Sequence, residues 1–228
     1  MPANSVRNMP APDGGEVERG DSRTPAHEQV YRRLRTRILH GILLPGQAMT
    51  IRGIAADFGV SMTPAREAVR RLAAEGALKL SSSGRITTPV LGNDRIEELA
   101  ALRALLEPEL SARALPRAHG ALIDRMADIN DQIDGVLGSG DAVAYVRLNQ
   151  EFHRNLYLRA QAPAMLALVE TVWLQLGPSM RALYSADRRR AVTESHRKIL
   201  GALRAGDEPG LRLAVRADVT SGLRMLLS

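Results

Sequence analysis

Two short amphipathic segments around a glycine-containing turn stand out in the pattern of apolar and polar positions. The first segment has an apolar stripe at helical spacing: Ile51, Ile54 and Ala55. The second has a longer stripe on one face: Ala65, Ala68, Val69 and Leu72. Between them lies Phe58-Gly59-Val60, where Gly59 tolerates the positive φ of a tight turn. The spacing predicts a helix-turn-helix from Thr50 to Leu72.

The second segment is expected to begin at Thr63-Pro64, a hydroxyl cap followed by a residue suited to the first helical position. Arg66 and Arg70 then lie four residues apart, on a side away from the apolar stripe. A basic, exposed face favours insertion into the major groove of DNA. An ordinary helical hairpin with solvated arginine side chains has the same pattern, so these residues alone leave both interpretations open.

Further short elements surround this unit. Thr24-Pro25 repeats the cap-and-proline start, and the spacing of apolar residues predicts a helix over Ala26–His40. Beyond the second helix, two strand-like pairs around a serine-rich turn predict a small hairpin, or wing, with Gly84 and Arg85 near its tip. Together these elements predict a winged helix-turn-helix domain over residues 23–92.

The remainder of the chain is expected to be helical, because it lacks the alternation typical of strands. Residues that break helices separate six expected spans: 94–115, 119–138, 141–161, 163–185, 188–205 and 207–227. Six such helices predict an all-α antiparallel bundle over residues 93–228. Residues 1–22, rich in Pro, Gly and charged side chains, are expected to be a disordered tail. The predicted fold class is therefore mostly α.

Composition narrows the available chemistry. The 228 residues include no cysteine, which excludes disulfides, thiolate zinc sites and cysteine nucleophiles. Aromatic residues make up only 3%, so the core must be built from aliphatic side chains. No apolar run approaches the roughly 20 residues of a membrane span, and the first residues form no apolar signal segment. We expect a soluble cytoplasmic protein without a membrane partner.

The net charge of +6 is concentrated in the predicted winged domain. Residues 23–85 carry eleven Lys and Arg against four Asp and Glu, whereas residues 86–228 carry eighteen against seventeen. A solubilising face would not need to avoid acidic residues so consistently, whereas attraction to phosphate explains the localisation. The charge distribution therefore favours DNA as the partner.

The winged half resembles the DNA-binding domain of GntR-type bacterial transcription regulators in four stretches: 44–46 (LPG), 55–61 (AADFGVS), 63–72 (TPAREAVRRL) and 75–78 (EGAL). The helical half resembles the ligand-binding domain of their FadR-type branch, called FCD, in four more: 102–108 (LRALLEP), 149–153 (NQEFH), 194–200 (ESHRKIL) and 205–207 (AGD). A bundle of six helices is similar to the VanR-like group of that branch. The two resemblances cover about nine-tenths of the chain.

The resemblance implies that DNA is held at the start of the first motif helix, at the N-terminal end of the recognition helix and at the wing tip. Together with Arg70 from the basic face, the corresponding residues are Arg52, Ser61, Met62, Thr63, Arg66, Arg70, Gly84 and Arg85. Arginine can pair with phosphate or with a guanine edge, and Thr63 can donate to a phosphate oxygen. Two positions depart from the family pattern: most members have Arg in place of Met62, and the Gly84-Arg85 pair is inverted.

The resemblance also implies a metal site, since a subset of FCD domains holds a divalent metal through an Asp or Asn and three His. The matching residues are Asn149, His153, His196 and Asp218, the last in place of the third histidine. Two imidazoles with a carboxylate suit zinc, nickel, manganese or iron. The alternative is that both histidines are hydrogen-bonded residues of the core.

A pocket for a small organic acid is the third implication of the resemblance. Arg103 matches a position that faces this pocket, where a guanidinium group can clamp a carboxylate. An ion pair with Glu107, four residues later, is the alternative role for Arg103. Arg181 and Tyr184 are further candidates for ligand binding.

These inferences predict a sequence-specific DNA-binding transcription regulator and not an enzyme. We expect a homodimeric repressor on a palindromic double-stranded operator, controlled by a small carboxylate metabolite, with a divalent metal as candidate cofactor. Two alternatives are a metal-dependent enzyme built on the bundle and an architectural DNA-binding protein. The enzyme is disfavoured because Glu151 and Glu194, each two residues from a histidine, point to other helix faces.

Overall fold

The computed structural model describes residues 24–183 and 189–224. Its N-terminal part contains α1 (Ala26–Leu39), β1 (Ala48–Met49), α2 (Ile51–Phe58), α3 (Met62–Ala74), β2 (Lys79–Leu80) and β3 (Ile86–Thr87). Its C-terminal part contains α4 (Asn93–Ala114), α5 (Gly120–Leu137), α6 (Ala142–Tyr157), α7 (Pro163–Met180), α8 (Arg189–Ala205) and α9 (Glu208–Arg224). The predicted fold class is confirmed. The expected disordered tail and Tyr184 lie outside the described residues.

The winged domain forms because α1, α2 and α3 turn their apolar stripes toward one core. The largest fully buried side chains that the structure describes in this core are Leu34, Ile38, Leu43, Ile54, Leu72 and Ile86. The three strands lie side by side in the order β1-β3-β2, with both neighbouring pairs antiparallel. Thr87 of β3 has Ala48 opposite it on one side and Lys79 on the other. The sequence pattern does not predict β1, because a strand of two residues is too short to show alternation.

The expected start of α3 at Thr63-Pro64 is wrong. The helix begins at Met62 with Ser61 as its N-cap residue, so Thr63 and Pro64 lie within the first turn. Proline is accommodated there because the first four N–H groups of a helix have no intrahelical acceptor. The recognition helix is therefore slightly longer at its N-terminal end than the sequence predicts.

The expected cap of α1 is also wrong. This helix follows Pro25, and none of the side chains that the structure describes caps it, so Thr24 is not the capping residue. The helix ends at Leu39 and not at His40, after which Gly41 adopts a positive φ of 67°. The end of α1 lies against the helical bundle, where its last carbonyl groups find partners outside the helix.

The six C-terminal helices share one hydrophobic core, to which each of them contributes buried side chains. In this bundle α4 packs along α9, and α5 packs against α6 and α8. α6 and α7 end before the expected positions because a short 3-10 turn follows each: Leu158–Ala160 and Arg181–Leu183. A few polar side chains on α4, α5, α6 and α8 are enclosed by this apolar packing.

The two domains meet at α7. Leu174 of this helix is fully buried in the core of the winged domain. Gly177 allows α7 to approach α1 so closely that a Cβ atom there would lie 2.3 Å from the carbonyl oxygen of Ile38. Two residues before Gly177, Nε2 of Gln175 donates to the carbonyl oxygen of Glu75 at 3.0 Å. Because of these contacts the domains are packed directly against each other.

Candidate DNA-binding surface and bundle cavity

Helix α3 turns one face to the domain core and the other to solvent. Its buried residues are Ala65, Ala68, Val69 and Leu72. Arg66 and Arg70 are exposed, and neither forms an ion pair within residues 24–183 and 189–224. Two like charges four residues apart on a helix are slightly destabilising, so the fold gains nothing from this pair. Both guanidinium groups are free to meet a polyanion.

Arg71, the next residue, is held by the fold. Its Nη1 atom donates to Glu28 at 2.8 Å, and its Nε atom lies 3.4 Å from a carboxylate oxygen of Glu75. Its guanidinium carbon lies 3.6 Å from the centre of the Tyr31 ring, a cation–π contact. Arg71 therefore joins α3 to α1 and differs in role from the neighbouring Arg70.

The N-terminal end of α3 is open to solvent. Ser61, Met62 and Thr63 are exposed, and the Ser61 side chain makes no capping hydrogen bond. A helix N-terminus without a side-chain cap offers free N–H groups and a partial positive charge to a phosphate. Met62, with 49% of its surface exposed, adds an apolar patch at this end. Arg52 is exposed in the first turn of α2.

The wing tip is a tight serine-rich turn between β2 and β3. The backbone N–H of Ser81 donates to the carbonyl oxygen of Arg85 at 2.9 Å, and the Ser81 hydroxyl accepts from Arg85 N–H at 3.0 Å. Gly84 adopts a φ of +80°, which glycine tolerates best. Arg85 is exposed. All the residues that the sequence predicts for DNA contact are thus on the surface of the winged domain.

Three of the four predicted metal ligands converge inside the bundle. His153 of α6, His196 of α8 and Asp218 of α9 each offer one ligand atom within 4.8 Å of the others. Nε2 of His153 lies 3.0 Å from Oδ2 of Asp218, and Nε2 of His196 lies 3.9 Å from Oδ1. Asn149, the fourth predicted ligand, lies one turn before His153, and both residues line a small cavity of the bundle. Three helices thereby build one polar cluster in an apolar core.

Both histidines are oriented through their second ring nitrogen. Nδ1 of His196 lies 3.1 Å from the amide oxygen of Asn130, so this nitrogen carries the proton. Nδ1 of His153 lies 3.2 Å from the Tyr157 hydroxyl, whose own proton is donated to Glu107 at 2.9 Å. In the neutral rings the lone pairs are therefore on the Nε2 atoms. With that tautomer neither Nε2 atom donates a hydrogen bond to a described residue, and Nε2 of His153 faces a carboxylate oxygen of Asp218 at 3.0 Å.

Burial and charge set the protonation of this cluster. Burial lowers the pKa of His196 to about 4, with Asp218 opposing the shift and His153 adding to it. Burial alone would raise the pKa of Asp218, but its contact with His153 and the nearby His196 ring hold that pKa well below its ordinary range. Phe152 stacks on the His196 ring with centroids 3.9 Å apart, which fixes the ring plane. A neutral imidazole and an ionised carboxylate are the forms that bind metals.

Arg103 is buried beside Glu107, and the ion pair that the sequence offered as an alternative is present. Nε of Arg103 donates to one carboxylate oxygen, and a terminal nitrogen lies 3.3 Å from the other. The Trp173 ring N–H and the Tyr157 hydroxyl also donate to Glu107, each at 2.9 Å. Burial alone would lower the pKa of Arg103, but Glu107 raises it, so the guanidinium stays charged.

A small cavity lies between α4, α6 and α7. Its lining residues are Arg103, Asn149, Gln150, His153, Trp173, Leu176 and Met180. The free space accommodates about one water molecule, so a larger guest requires side chains or helices to move. The cavity brings a guanidinium group, two side-chain amides and an imidazole together with apolar walls, a composition typical of small-molecule sites.

The structure places Arg181 at the domain junction. Its side chain lies against Gly41, and its Nη1 atom is 3.4 Å from the Gly41 carbonyl oxygen. It is not among the residues that line the cavity, because the turn at the end of α7 carries it toward the winged domain. The predicted ligand-binding role of Arg181 finds no support in this position, and Tyr184 lies outside the described residues.

Sequence reasoning missed the residues that orient the predicted ligands. Asn130 is a polar residue among the apolar positions of α5, and that exception to the pattern was the only local signal. Tyr157 lies one turn after His153 on α6, so its spacing was also a signal. Gln150 is buried, lines the cavity and donates from Nε2 to the Leu39 carbonyl oxygen at 2.8 Å.

The arrangement defines a class of protein: a winged DNA-binding domain with a free basic face, joined to a helical bundle that contains a polar cavity. Residues 26–86 match the bacterial regulatory proteins of the gntR family, and residues 98–221 match the FCD domain. The chain belongs to the FCD-containing branch of the GntR family, and it is a DNA-binding transcription regulator rather than an enzyme. Within residues 24–183 and 189–224, no helix is long and apolar enough to span a membrane.

This chain matches known transcription regulators over most of their length. The HTH-type transcriptional regulator McbR of Escherichia coli is 27% identical over 187 residues, which cover 81% of this chain and 85% of McbR. The gluconate operon transcriptional repressor of Bacillus subtilis is 26% identical over 168 residues, which cover 74% of this chain and 67% of the repressor. The structure of E. coli McbR/YncC superposes with a TM-score of 0.83 at 25% identity, covering 89% and 97% of the two chains.

Proposed function

We propose that this regulator is a homodimeric repressor that leaves a palindromic operator when a small carboxylate, assisted by a divalent metal, binds in the bundle. The observation that carries the proposal is that the Nε2 atoms of two histidines lie 3.0 Å and 3.9 Å from the Asp218 carboxylate, next to the cavity lined by Arg103. Relatives whose names describe them as repressors support the sign of the response.

The residues present fit a divalent metal. His153, His196 and Asp218 would hold it, and the Asn149 amide oxygen is available as a weaker fourth ligand. The hydrogen bonds that the two rings donate to Tyr157 and Asn130 orient the rings, which is how proteins commonly fix metal-binding histidines. Two imidazoles with a carboxylate suit zinc, nickel, manganese or iron. When bound, such an ion supplies a Lewis-acidic position for the oxygens of a ligand.

The balance of charge around the cavity favours an anionic ligand once a cation is bound. Arg103 is matched by Glu107, so Asp218 leaves one net negative charge on this group of three side chains. A divalent cation converts this to one net positive charge, which a monocarboxylate neutralises. Buried charges are stable only when they are paired, so metal and carboxylate are expected to favour each other's binding.

The route from the cavity to the DNA-binding surface is short. The cavity is lined by Trp173, Leu176 and Met180 of α7, and the same helix buries Leu174 in the winged domain. Because the cavity holds about one water molecule, a carboxylate must move the surrounding side chains or helices as it enters. Coupling between two sites is typically about 1–3 kcal/mol, enough to weaken operator binding several-fold or more.

A gel-shift experiment with the chain's own upstream DNA tests the regulator. We expect retardation that survives competitor DNA and weakens when a saturating carboxylate is added to the metal-loaded protein. Retardation that competitor abolishes would indicate an architectural DNA-binding protein. A carboxylate that tightens operator binding would contradict the proposed sign of the response.

Metal content tests the cofactor. Protein purified without chelator is expected to carry close to one divalent ion per chain, and His196→Ala is expected to lose it. His119→Ala is the matched control, because His119 is exposed at the start of α5. Equal metal content in the three proteins would show that the cluster does not bind metal.

A further inference from the structure

Only one of the two polar atoms of the Gln150 side chain has a hydrogen-bond partner among the described residues. Its Nε2 atom donates to the carbonyl oxygen of Leu39, the last residue of α1, at 2.8 Å. Its Oε1 atom is buried and has no hydrogen-bond partner among the described residues. The residue is 8% exposed and lines the same cavity as Arg103 and His153. A buried acceptor without a partner is costly, and its position next to a cavity suggests that a ligand satisfies it.

The orientation of the amide follows from its neighbour. The Leu39 carbonyl belongs to the last turn of α1, so no backbone N–H within the helix donates to it. If the amide were flipped, its oxygen would face the Leu39 carbonyl oxygen, and two acceptors would repel each other. The donor must therefore point toward α1, which leaves the oxygen for a donor from elsewhere.

We propose that Gln150 selects a carboxylate that also carries a hydroxyl or ammonium group, by accepting a hydrogen bond from that group at Oε1. This inference rests on the proposed carboxylate function of the same cavity. The carboxylate is held on the side of Arg103 and the histidine cluster, and the donor group reaches Gln150. A plain carboxylate leaves the amide oxygen to water or without a partner, so the site discriminates against it.

The same amide also connects the ligand to the winged domain. A donor bound at Oε1 polarises the amide and strengthens the hydrogen bond from Nε2 to the end of α1. α1 packs along α3, and Arg71 and Tyr31 add polar contacts between the two helices. A ligand with a donor group therefore acts on the helix that supports the recognition helix, and it is expected to change operator binding more than a plain carboxylate does.

Two pairs of acids that differ by one hydroxyl group test the proposal: lactate against propionate, and 3-hydroxybutyrate against butyrate. Their dissociation constants are measured by calorimetry on the full chain loaded with zinc. We expect the hydroxylated member of at least one pair to bind at least about fivefold more tightly to the wild-type chain. The plain acid leaves the buried Oε1 acceptor without a hydrogen bond, and this loss weakens binding by about that factor or more. This comparison needs no variant and is independent of any effect of mutation on folding.

Gln150→Met removes the amide while keeping the length of the side chain. It is expected to bring the two members of the preferred pair to equal affinity. Gln175→Met is the matched control, because Gln175 also donates to a carbonyl of the winged domain, that of Glu75, but does not line the cavity. It is expected to retain the preference for the hydroxylated acid.

The outcomes separate the two levels of the proposal. If none of the four acids binds the wild-type chain, the carboxylate function fails and the role of Gln150 fails with it. If the acids bind but the members of both pairs bind equally, the carboxylate function stands and the selective role of Gln150 is wrong. If the preference persists in Gln150→Met, it comes from chelation of the metal by the hydroxy acid, and the proposal is overturned.

Discussion

Arg66 on α3 and Arg103 on α4 each have a charged residue four positions later, but the two pairs are built in opposite ways. Arg70 repeats the charge of Arg66, and both side chains are exposed without an ion-pair partner in the described part of the chain. Glu107 opposes the charge of Arg103, and both side chains are buried. The first pair can serve only a partner from outside, whereas the second is needed by the fold itself.

Because of this difference, we expect the exposed arginines of α3 to serve function and the buried pair of α4 to serve stability. Exposed like charges four apart destabilise a helix by about 0.2–0.5 kcal/mol, so the basic face of α3 can be changed without unfolding the protein. Removing one member of a buried ion pair leaves an uncompensated charge and destabilises by about 3–5 kcal/mol. The Arg103–Glu107 pair therefore cannot lose one of its members without loss of stability.

The largest effect is expected from Glu107→Leu. This change leaves the Arg103 charge, the Trp173 ring N–H and the Tyr157 hydroxyl without their common acceptor. The free energy of unfolding, measured in denaturant, is expected to fall by about 3–5 kcal/mol.

Glu109→Leu is the matched control for this substitution. Glu109 lies on the same helix and pairs with Arg113 and Arg212, but its side chain is one-third exposed. Exposed pairs contribute about 0–1 kcal/mol, so this variant should remain close to the wild type. Equal destabilisation by the two variants would show that burial does not distinguish the ion pairs, and the comparison with α3 would lose its basis.

Arg66→Ala is expected to change mainly operator binding, and Arg71→Ala is expected to change mainly stability. Loss of Arg66 should weaken operator binding by about 1–3 kcal/mol, the usual value of a good arginine contact to a base. Its effect on stability should stay within about 0.5 kcal/mol because the residue is exposed and has no partner within the described residues. Loss of Arg71 should lower stability by about 1 kcal/mol through its contacts with Glu28 and Tyr31.

Gel shifts and denaturant unfolding of the same two variants make this comparison. If Arg66→Ala leaves operator binding unchanged, the recognition face of α3 has been assigned to the wrong residues. If Arg71→Ala weakens DNA binding as strongly as Arg66→Ala, the division of α3 into a structural and a recognition arginine is incorrect.

The helices of the recognition unit were predictable because their signal is local. Ala65, Ala68, Val69 and Leu72 recur at a helical period, and the structure buries all four. The exact start of α3 was not predictable, because a proline is tolerated anywhere in the first turn and Ser61 competes with Thr63 as the cap. β1 was missed for the different reason that two residues carry no periodicity.

The polar cluster of the bundle was only partly predictable. His153, His196 and Asp218 followed from the resemblance, and the structure brings them together. The support of His196 comes from long-range packing, since its contact residue Asn130 lies 66 positions away. Likewise, no pattern near Gln150 indicates that its amide reaches Leu39, 111 positions earlier in the chain. Such contacts depend on how the helices pack and leave little trace in local sequence.

Met62→Arg is expected to have the smallest effect, and it sharpens the comparison by adding a third free cation to the exposed face of α3. Met62 is 49% exposed at the first position of the helix, so stability should change by less than about 0.5 kcal/mol. One new phosphate contact should steepen the dependence of log K on log salt concentration by about 0.9. Met62→Gln, of similar length but uncharged, should leave this slope unchanged. An identical slope for the arginine variant would mean that the N-terminal end of α3 does not approach the DNA backbone.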